Sequence, residues 1–454
     1  MSKKHFGTDG VRGIVGKDPM TADFALRLAS AAAQVLVPKG GTVLIGKDTR
    51  LSGYMFESAL EAGFTAAGAD VLLVGPLPTP GVAYLTQEFS ADLGVVISAS
   101  HNLYFDNGIK FFDGAGSKLT DEVEKAIEAN LDKAAITVDS QSLGKARRID
   151  SALARYEKFC AGTLQEGLNL DGLKVVFDGA NGAGYKVGPR TLANLDAEVI
   201  PIGCSPNGRN INDGCGSTRP DLLQRTVPAV AADVGIALDG DGDRVVLVDE
   251  TGGLVDGDQI LYVLATAWQE QGRLHGPVVG TVMSNLGLER ALQKKNIEFQ
   301  RAAVGDRYVL EALKQGGGVI GGETSGHMIV LDQTTTGDGL ITALQVLAVM
   351  KRTGRTLSDL VASMPKYPQI MLNVRTEHRL DPDASPQIRE ALRAAVDELA
   401  DSGRIVLRAS GTEPVVRVMV EGRDEAQINS VAERLAAVVA DAARQEVPKT
   451  AQKA

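Results

Sequence analysis

The sequence predicts an α/β protein: three similar α/β domains with mostly parallel mixed sheets, then a smaller α+β domain. Three observations carry that expectation. Runs rich in Val and Ile repeatedly end in clusters of Gly, Asp, Asn and Ser, then give way to Ala- and Leu-rich helical stretches, the pattern of buried strands alternating with helices. Two kinds of strand with a distinctive loop recur three times in the same order. Beyond residue 366 the character changes, with strand-like runs at 369–374 and 415–420 and helical stretches at 386–401 and 424–444.

The first recurring kind occupies 42–48, 174–179 and 278–283; the second occupies 94–101, 235–241 and 318–323. The second kind carries the unusual chemistry, and parallel strands deliver such loops at their C-terminal ends, where ligands bind. The expected domains are 1–152, 153–255, 256–366 and 367–454. The polar stretch after Glu446 has no apolar period and is expected to fray.

A chain of 454 residues exceeds one ordinary core, in keeping with several domains. The 51 glycines imply many tight turns. A net charge of -10 argues against a nucleic-acid scaffold, which needs a concentrated basic surface. Cys160, Cys204 and Cys215 are too few for a disulfide framework and fit a reducing cytosol. Without an apolar leader or a bilayer-length apolar run, the expectation is a cytoplasmic protein with no membrane partner.

Asp239-Gly240-Asp241-Gly242-Asp243-Arg244 is the strongest local signal. Three carboxylates at alternate positions repel one another unless a cation intervenes, and the glycines let the backbone bend until the oxygens converge. Hard oxygen ligands select magnesium, calcium or manganese over zinc, with magnesium the expected ion. A calcium EF-hand fits the spacing through Glu250, but Arg244 stands where that loop needs glycine and 245–248 reads as a strand. Ser98-Ala99-Ser100-His101-Asn102 ends another strand, where a hydroxyl can act as nucleophile or phosphate carrier; spacing does not choose between Ser98 and Ser100.

Gly322-Glu323-Thr324-Ser325-Gly326-His327 offers an acid, two hydroxyls and an imidazole to a hydroxyl-rich ligand, or else a capped helix start. Arg408-Ala409-Ser410-Gly411-Thr412-Glu413 with Arg417 has the makings of a phosphate cradle. Lys47-Asp48-Thr49-Arg50 and Gly10-Val11-Arg12-Gly13 read as anion contacts or ordinary surface charges. No P-loop, dinucleotide fingerprint, G-x-S-x-G elbow or H-E-x-x-H helix is present.

Taken in order, Phe6 to Gly13, Ser98 to Lys110, Asp239 to Arg244, Glu323 to His327, Thr334 to Leu340 and Arg408 to Arg417 resemble the α-D-phosphohexomutase family over nearly the whole chain. The resemblance implies a heart-shaped, four-domain molecule around a central cleft, with Ser100 as phosphoserine and magnesium held by Asp239, Asp241, Asp243 and the serine phosphate. It puts Lys110, as general acid/base, and His101 beside the transferring group, with Arg12 and Arg244 near it. Glu323 and Ser325 would hold sugar hydroxyls, and His327 would contact the ligand or assist proton transfer; Arg408, Ser410, Gly411, Thr412 and Arg417 would grip the distal phosphate.

The implied reaction interconverts glucosamine 6-phosphate and glucosamine 1-phosphate through glucosamine 1,6-bisphosphate, feeding UDP-N-acetylglucosamine synthesis, and the family suggests a homodimer through the first domain. The alternatives are phosphomannomutase or phosphoglucomutase activity by the same mechanism, and a non-catalytic sugar-phosphate or calcium-binding protein. One departure is Leu103, where the family motif has proline.

Overall fold

The computed structural model describes residues 5–7, 9–378, 380–409 and 414–445. The chain forms two compact units, one of residues 1–281 with 302–362, the other of residues 282–301 with 363–454. Among the described residues no helix is long and apolar enough to cross a membrane, and all three cysteines are free.

The first unit holds the three repeats. In a six-stranded sheet the order is Val11–Ile14, Asp106–Asp113, Leu93–Ile97, Thr42–Lys47, Asp70–Pro76, Ala146–Arg148. A five-stranded sheet runs Leu254–Val255, Val245–Asp249, Val234–Leu238, Lys174–Asp178, Glu198–Ile202. In a third sheet Val278–Thr281, Ile320–Gly322 and Met328–Val330 are successive neighbours.

The two recurring strands are parallel neighbours in every sheet: Thr42–Lys47 with Leu93–Ile97, Lys174–Asp178 with Val234–Leu238, and Val278–Thr281 with Ile320–Gly322. Each second strand then turns back into an antiparallel partner, Asp106–Asp113, Val245–Asp249 or Met328–Val330. The three chemistry-bearing loops are thus the same turn of the same motif. The strands before the first two loops are buried at every position, which is why they read as unbroken apolar runs. The third is shorter than the expected 318–323, because Gly317 is left-handed, at φ +68°, and ends the helix Asp306–Gly316 first.

The second unit is an α+β layer. Its antiparallel sheet runs Gln369–Arg375, Val415–Gly422, Gly403–Ala409, and the helices Pro386–Leu399 and Glu425–Gln445 supply its core with Ile388, Leu399, Ile428, Val431 and Leu435. Segment 282–301, with the helix Leu286–Lys294, belongs to this unit, joined to it by the Asn285–Tyr367 bonds and by an Arg404–Glu421 ion pair that reaches it. Fully buried Glu421 accepts from Arg404 Nε at 2.7 Å and from the Leu286 amide at 3.2 Å, while Arg404 donates to the carbonyls of Val282 and Ser284 at 2.8 and 2.9 Å.

Candidate active site

Asp239, Asp241 and Asp243 are buried, and one carboxylate oxygen from each lies within 4.8 Å of the others. Gly242, at φ +73°, makes the bend that an L side chain resists. Gly240 is needed for space, since a Cβ there would meet the Ser100 carbonyl at 2.5 Å. Asp239 Oδ1 accepts from the amides of Gly242 and Arg244 at 3.1 and 3.2 Å, so the loop braces its first ligand. Asp241 Oδ1 and Asp243 Oδ1 have no hydrogen-bond partner.

Burial, then the charges of Asp243 and Asp241, push the Asp239 carboxyl well above its usual range. Burial and Asp241 likewise raise Asp243. For Asp241 burial acts in the same sense, but Lys110 and the Thr79 hydroxyl outweigh it and hold the group low. Unpaired inward oxygens and carboxyls pressed toward protonation are the condition a hard divalent cation relieves, so the donor set fits magnesium. The EF-hand alternative loses its twelfth ligand, because Glu250 instead accepts from the Ser358 hydroxyl at 2.5 Å.

Ser100 closes on this cluster, its Oγ donating to Asp239 Oδ2 at 2.6 Å. Ser98 points the other way, donating to Asp48 Oδ2 at 2.6 Å and accepting from the Ser100 amide at 3.0 Å. Geometry therefore separates two serines that spacing could not. His101 Nδ1 lies 3.3 Å from Ser100 Oγ. Burial, Arg244 and Arg12 push its imidazole down to about 4, leaving it neutral at physiological pH.

Lys110 is buried and pairs at 2.8 Å with Asp241 Oδ2 and with Asp9 Oδ2. Burial opposes its charge, yet Asp241 and Asp9 prevail and raise it, so it stays protonated. Arg12 is held by Asp9, and Arg244 Nε is 3.9 Å from Asp243 Oδ1. Both guanidinium Nε–H groups are buried without an acceptor, as suits a place for phosphate oxygens.

The 323–327 segment is a hairpin turn and not a helix start: the Glu323 amide donates to the His327 carbonyl at 3.1 Å. Glu323 Oε1 accepts from the Gly305 amide at 3.0 Å, and Ser325 is exposed. His327 is buried with Nε2 unpaired, 3.9 Å from Asp243 Oδ2 and 3.7 Å from Asp306 Oδ2. Arg408 and Arg417 lie in the second unit as cross-strand partners, and burial with the Arg417 charge lowers the Arg408 guanidinium. Ser410, Gly411 and Thr412 lie outside the described residues.

Four participants escaped sequence reasoning. Asp9 ties Arg12, Lys110 and Lys118 together; it stands within the Phe6 to Gly13 motif, the one signal that could have found it. Thr79 donates to Asp241 Oδ2 at 2.7 Å, and Lys118 bridges Asp9 to Asp306 at 2.6 and 2.5 Å, with nothing local to mark them. The Lys47 to Arg50 run is neither an anion contact nor surface charge. Lys47 is buried against Glu57, and fully buried Arg50 pairs with Asp48 at 2.8 Å.

The chain matches the models of phosphoglucomutase/phosphomannomutase α/β/α domain I at residues 3–137, domain II at 155–253, domain III at 256–367 and the C-terminal domain at 371–438. It is 56% identical over 443 residues to the phosphoglucosamine mutase of Thioalkalivibrio sulfidiphilus, covering 97% of this chain and 98% of that one. It is 55% identical to that of Aeromonas hydrophila, covering 97% and 100%. The fold is similar to that of a phosphoglucomutase/phosphomannomutase family protein from Burkholderia thailandensis, with a TM-score of 0.81 at 24% identity over 99% of both chains. It is also similar to Aspergillus fumigatus N-acetylphosphoglucosamine mutase, solved with GlcNAc-6P and magnesium, with a TM-score of 0.70 at 17% identity over 97% and 96%. The chain belongs to the phosphoglucomutase/phosphomannomutase family and, within it, to the phosphoglucosamine mutases.

Proposed function

We propose that this enzyme is an intramolecular phosphotransferase that interconverts glucosamine 6-phosphate and glucosamine 1-phosphate, with Ser100 carrying the phosphate. The observation that carries this reading is the Ser100 hydroxyl 2.6 Å from Asp239, on a triad of buried carboxylates and beside cationic Lys110, Arg12 and Arg244. Asp239, Asp241 and Asp243, with the serine phosphate, would hold one magnesium ion, whose chemistry is to neutralise charge on the phosphoryl oxygens.

The phosphate on Ser100 passes to a sugar hydroxyl: the bond from phosphorus to Oγ breaks as one to the sugar oxygen forms, giving glucosamine 1,6-bisphosphate. The sugar then presents its other phosphate, which returns to Ser100. Lys110, held protonated, gives Oγ a proton as it leaves and takes up in exchange the proton that the attacking sugar hydroxyl sheds, and Arg12, Arg244 and neutral His101 surround the transferring group. Glu323, Ser325 and His327 read the sugar, while Arg408, Ser410, Gly411, Thr412 and Arg417 hold the distal phosphate. The domain bounds that go with this reading are 1–152, 153–255, 256–366 and 367–454, in a cytoplasmic protein that pairs as a homodimer through its first domain.

The test is a coupled assay with magnesium on glucosamine 6-phosphate, glucose 6-phosphate and mannose 6-phosphate, with Ser100→Ala in parallel. Preference for the amino sugar, lost in the variant, is expected. Preference for a neutral hexose would replace the substrate and keep the mechanism, whereas turnover indifferent to Ser100 would end the phosphoserine reading.

A further inference from the structure

We infer that Asn212 and Arg50 are positioning residues of the transfer reaction, a clamp that holds the Ser100 peptide in the one conformation that aims Oγ at Asp239. The inference rests on the phosphoserine reading above. Ser100 sits at φ +49°, a left-handed conformation that side-chain-bearing residues adopt rarely. Both sides of this residue are held by side chains. Its amide donates to Ser98 Oγ at 3.0 Å, and its carbonyl accepts from Arg50 Nη2 at 3.0 Å and Asn212 Nδ2 at 2.9 Å.

The same two donors hold the rest of the turn. Arg50 Nη2 and Asn212 Nδ2 each reach the Asn102 carbonyl at 2.9 Å, and Arg50 Nη1 reaches that of Leu103 at 2.6 Å. Asp48 fixes the guanidinium, accepting from Arg50 Nε at 2.8 Å and from its amide at 2.9 Å, while also taking the Ser98 hydroxyl. Arg50 follows the strand Thr42–Lys47 and Asn212 lies in the stretch before Val234–Leu238, so residues from two repeats converge on one turn.

The metal loop rests on this clamp. A Cβ at Gly240 would meet the Ser100 carbonyl at 2.5 Å and Asn212 Nδ2 at 2.6 Å. Asn212 is itself left-handed, at φ +59°, with its amide on the Ala180 carbonyl at 2.9 Å. Its Oδ1 is buried without a partner, so the side chain earns its place through Nδ2 alone.

Leu103 gives the clamp a task. Where the family motif has a ring that stiffens the backbone, this chain has a residue with a free φ, and Arg50 binds that residue's carbonyl. Ser100 must gain and lose a doubly charged group without moving, because in-line transfer tolerates little misplacement. Released from its carbonyl contacts, the turn relaxes toward negative φ and Oγ swings off the acceptor line. The sugar contacts proposed for the 323–327 turn do not depend on it, so the defect falls on kcat and spares KM.

The experiment measures kcat and KM for glucosamine 6-phosphate in wild type, Asn212→Ala and Asn212→Asp at phosphoserine occupancy matched by intact mass, with Ser100→Ala as the control that cannot be phosphorylated there, together with amide hydrogen exchange. Asn212→Ala is expected to lower kcat by roughly 10- to 100-fold with KM little changed, and to speed exchange in the 99–105 turn alone. Asn212→Asp, which sets a carboxylate against two carbonyl oxygens, falls further. Wild-type kcat in Asn212→Ala, or kcat and KM failing together without local exchange, would overturn the clamp while Ser100-dependent turnover survives in the wild type. Wild-type turnover that persists in Ser100→Ala would overturn the phosphoserine reading and the clamp with it.

Discussion

Changing Asp338 to Asn should make the protein more stable, and increasingly so as the pH rises. Asp338 is buried at the start of the helix Gly339–Thr353, where its Oδ1 accepts from the Ile341 amide at 2.9 Å and its Oδ2 from the Tyr156 hydroxyl at 2.7 Å. Burial pushes its carboxyl from the ordinary 3.8 up to about 6, against the pull of those bonds. The folded protein therefore binds this proton more tightly than the unfolded chain. The group's contribution to stability is complete below 3.8 and drains away as pH climbs through about 6.

A shift of about two units at 1.36 kcal/mol each amounts to about 3 kcal/mol lost between about pH 4 and about pH 8. Asparagine keeps the cap through Oδ1 and offers Nδ2 to Tyr156, whose hydroxyl turns from donor to acceptor. Trp268 is the sole tryptophan and is buried in the helix Gly257–Glu270, which packs on Gly339–Thr353, so its fluorescence reports this region. Urea unfolding followed by Trp268, with chelator present, should show the gap between variant and wild type widening from near zero at about pH 3 through about 1.5 kcal/mol at about pH 5 to about 3 kcal/mol at about pH 8. A gap that stays constant with pH, or narrows, would refute the reasoning.

Removing the Thr79 hydroxyl with Thr79→Val should raise the magnesium concentration for half-maximal activity by about 10-fold, because Thr79 orients Asp241 from behind; an unaltered requirement would exclude it from the site. Lys110→Met should lower kcat at saturating magnesium by about 10²- to 10⁴-fold in the coupled assay, the range for a lost proton donor. Magnesium added to chelated enzyme at about 100 times its Kd should stabilise it by about 2.7 kcal/mol in a thermal melt. Asp243→Asn should lose most of that gain, and an equal gain in the variant would place the ion elsewhere.

What the sequence disclosed is what local chemistry writes. The three repeated strands were legible because continuous burial demands continuous Val and Ile, and the Asp239 to Asp243 triad because its repulsion is compressed into five positions. Arg50 was misread because its partners, the carbonyls of Ser100, Asn102 and Leu103, lie half a hundred positions along the chain and leave no mark beside it. Lys118 and Asp306 are farther apart still. A helix start at 323–327 stayed open as an alternative because hydroxyls before an apolar run cap helices, whereas pairing of Ile320–Gly322 with Met328–Val330 makes it the strand exit its glycines suggested. Ser98 and Ser100 differ only in which way the strand end faces, a fact of register that composition does not record.

The ion pair between Arg404 and Glu421 bears on how the polypeptide can be cut. The chain crosses between the two compact units three times, after residues 281, 301 and 362, and this ion pair's hydrogen bonds are among those that join segment 282–301 to the C-terminal sheet. A fragment starting at 363 would leave the Val282 and Ser284 carbonyls behind, stripping Arg404 of two acceptors and Glu421 of its amide donor. After a protease nick near 362, these bonds would still hold the C-terminal piece to segment 282–301, and a domain exchange between relatives keeps them only if it carries both pieces together.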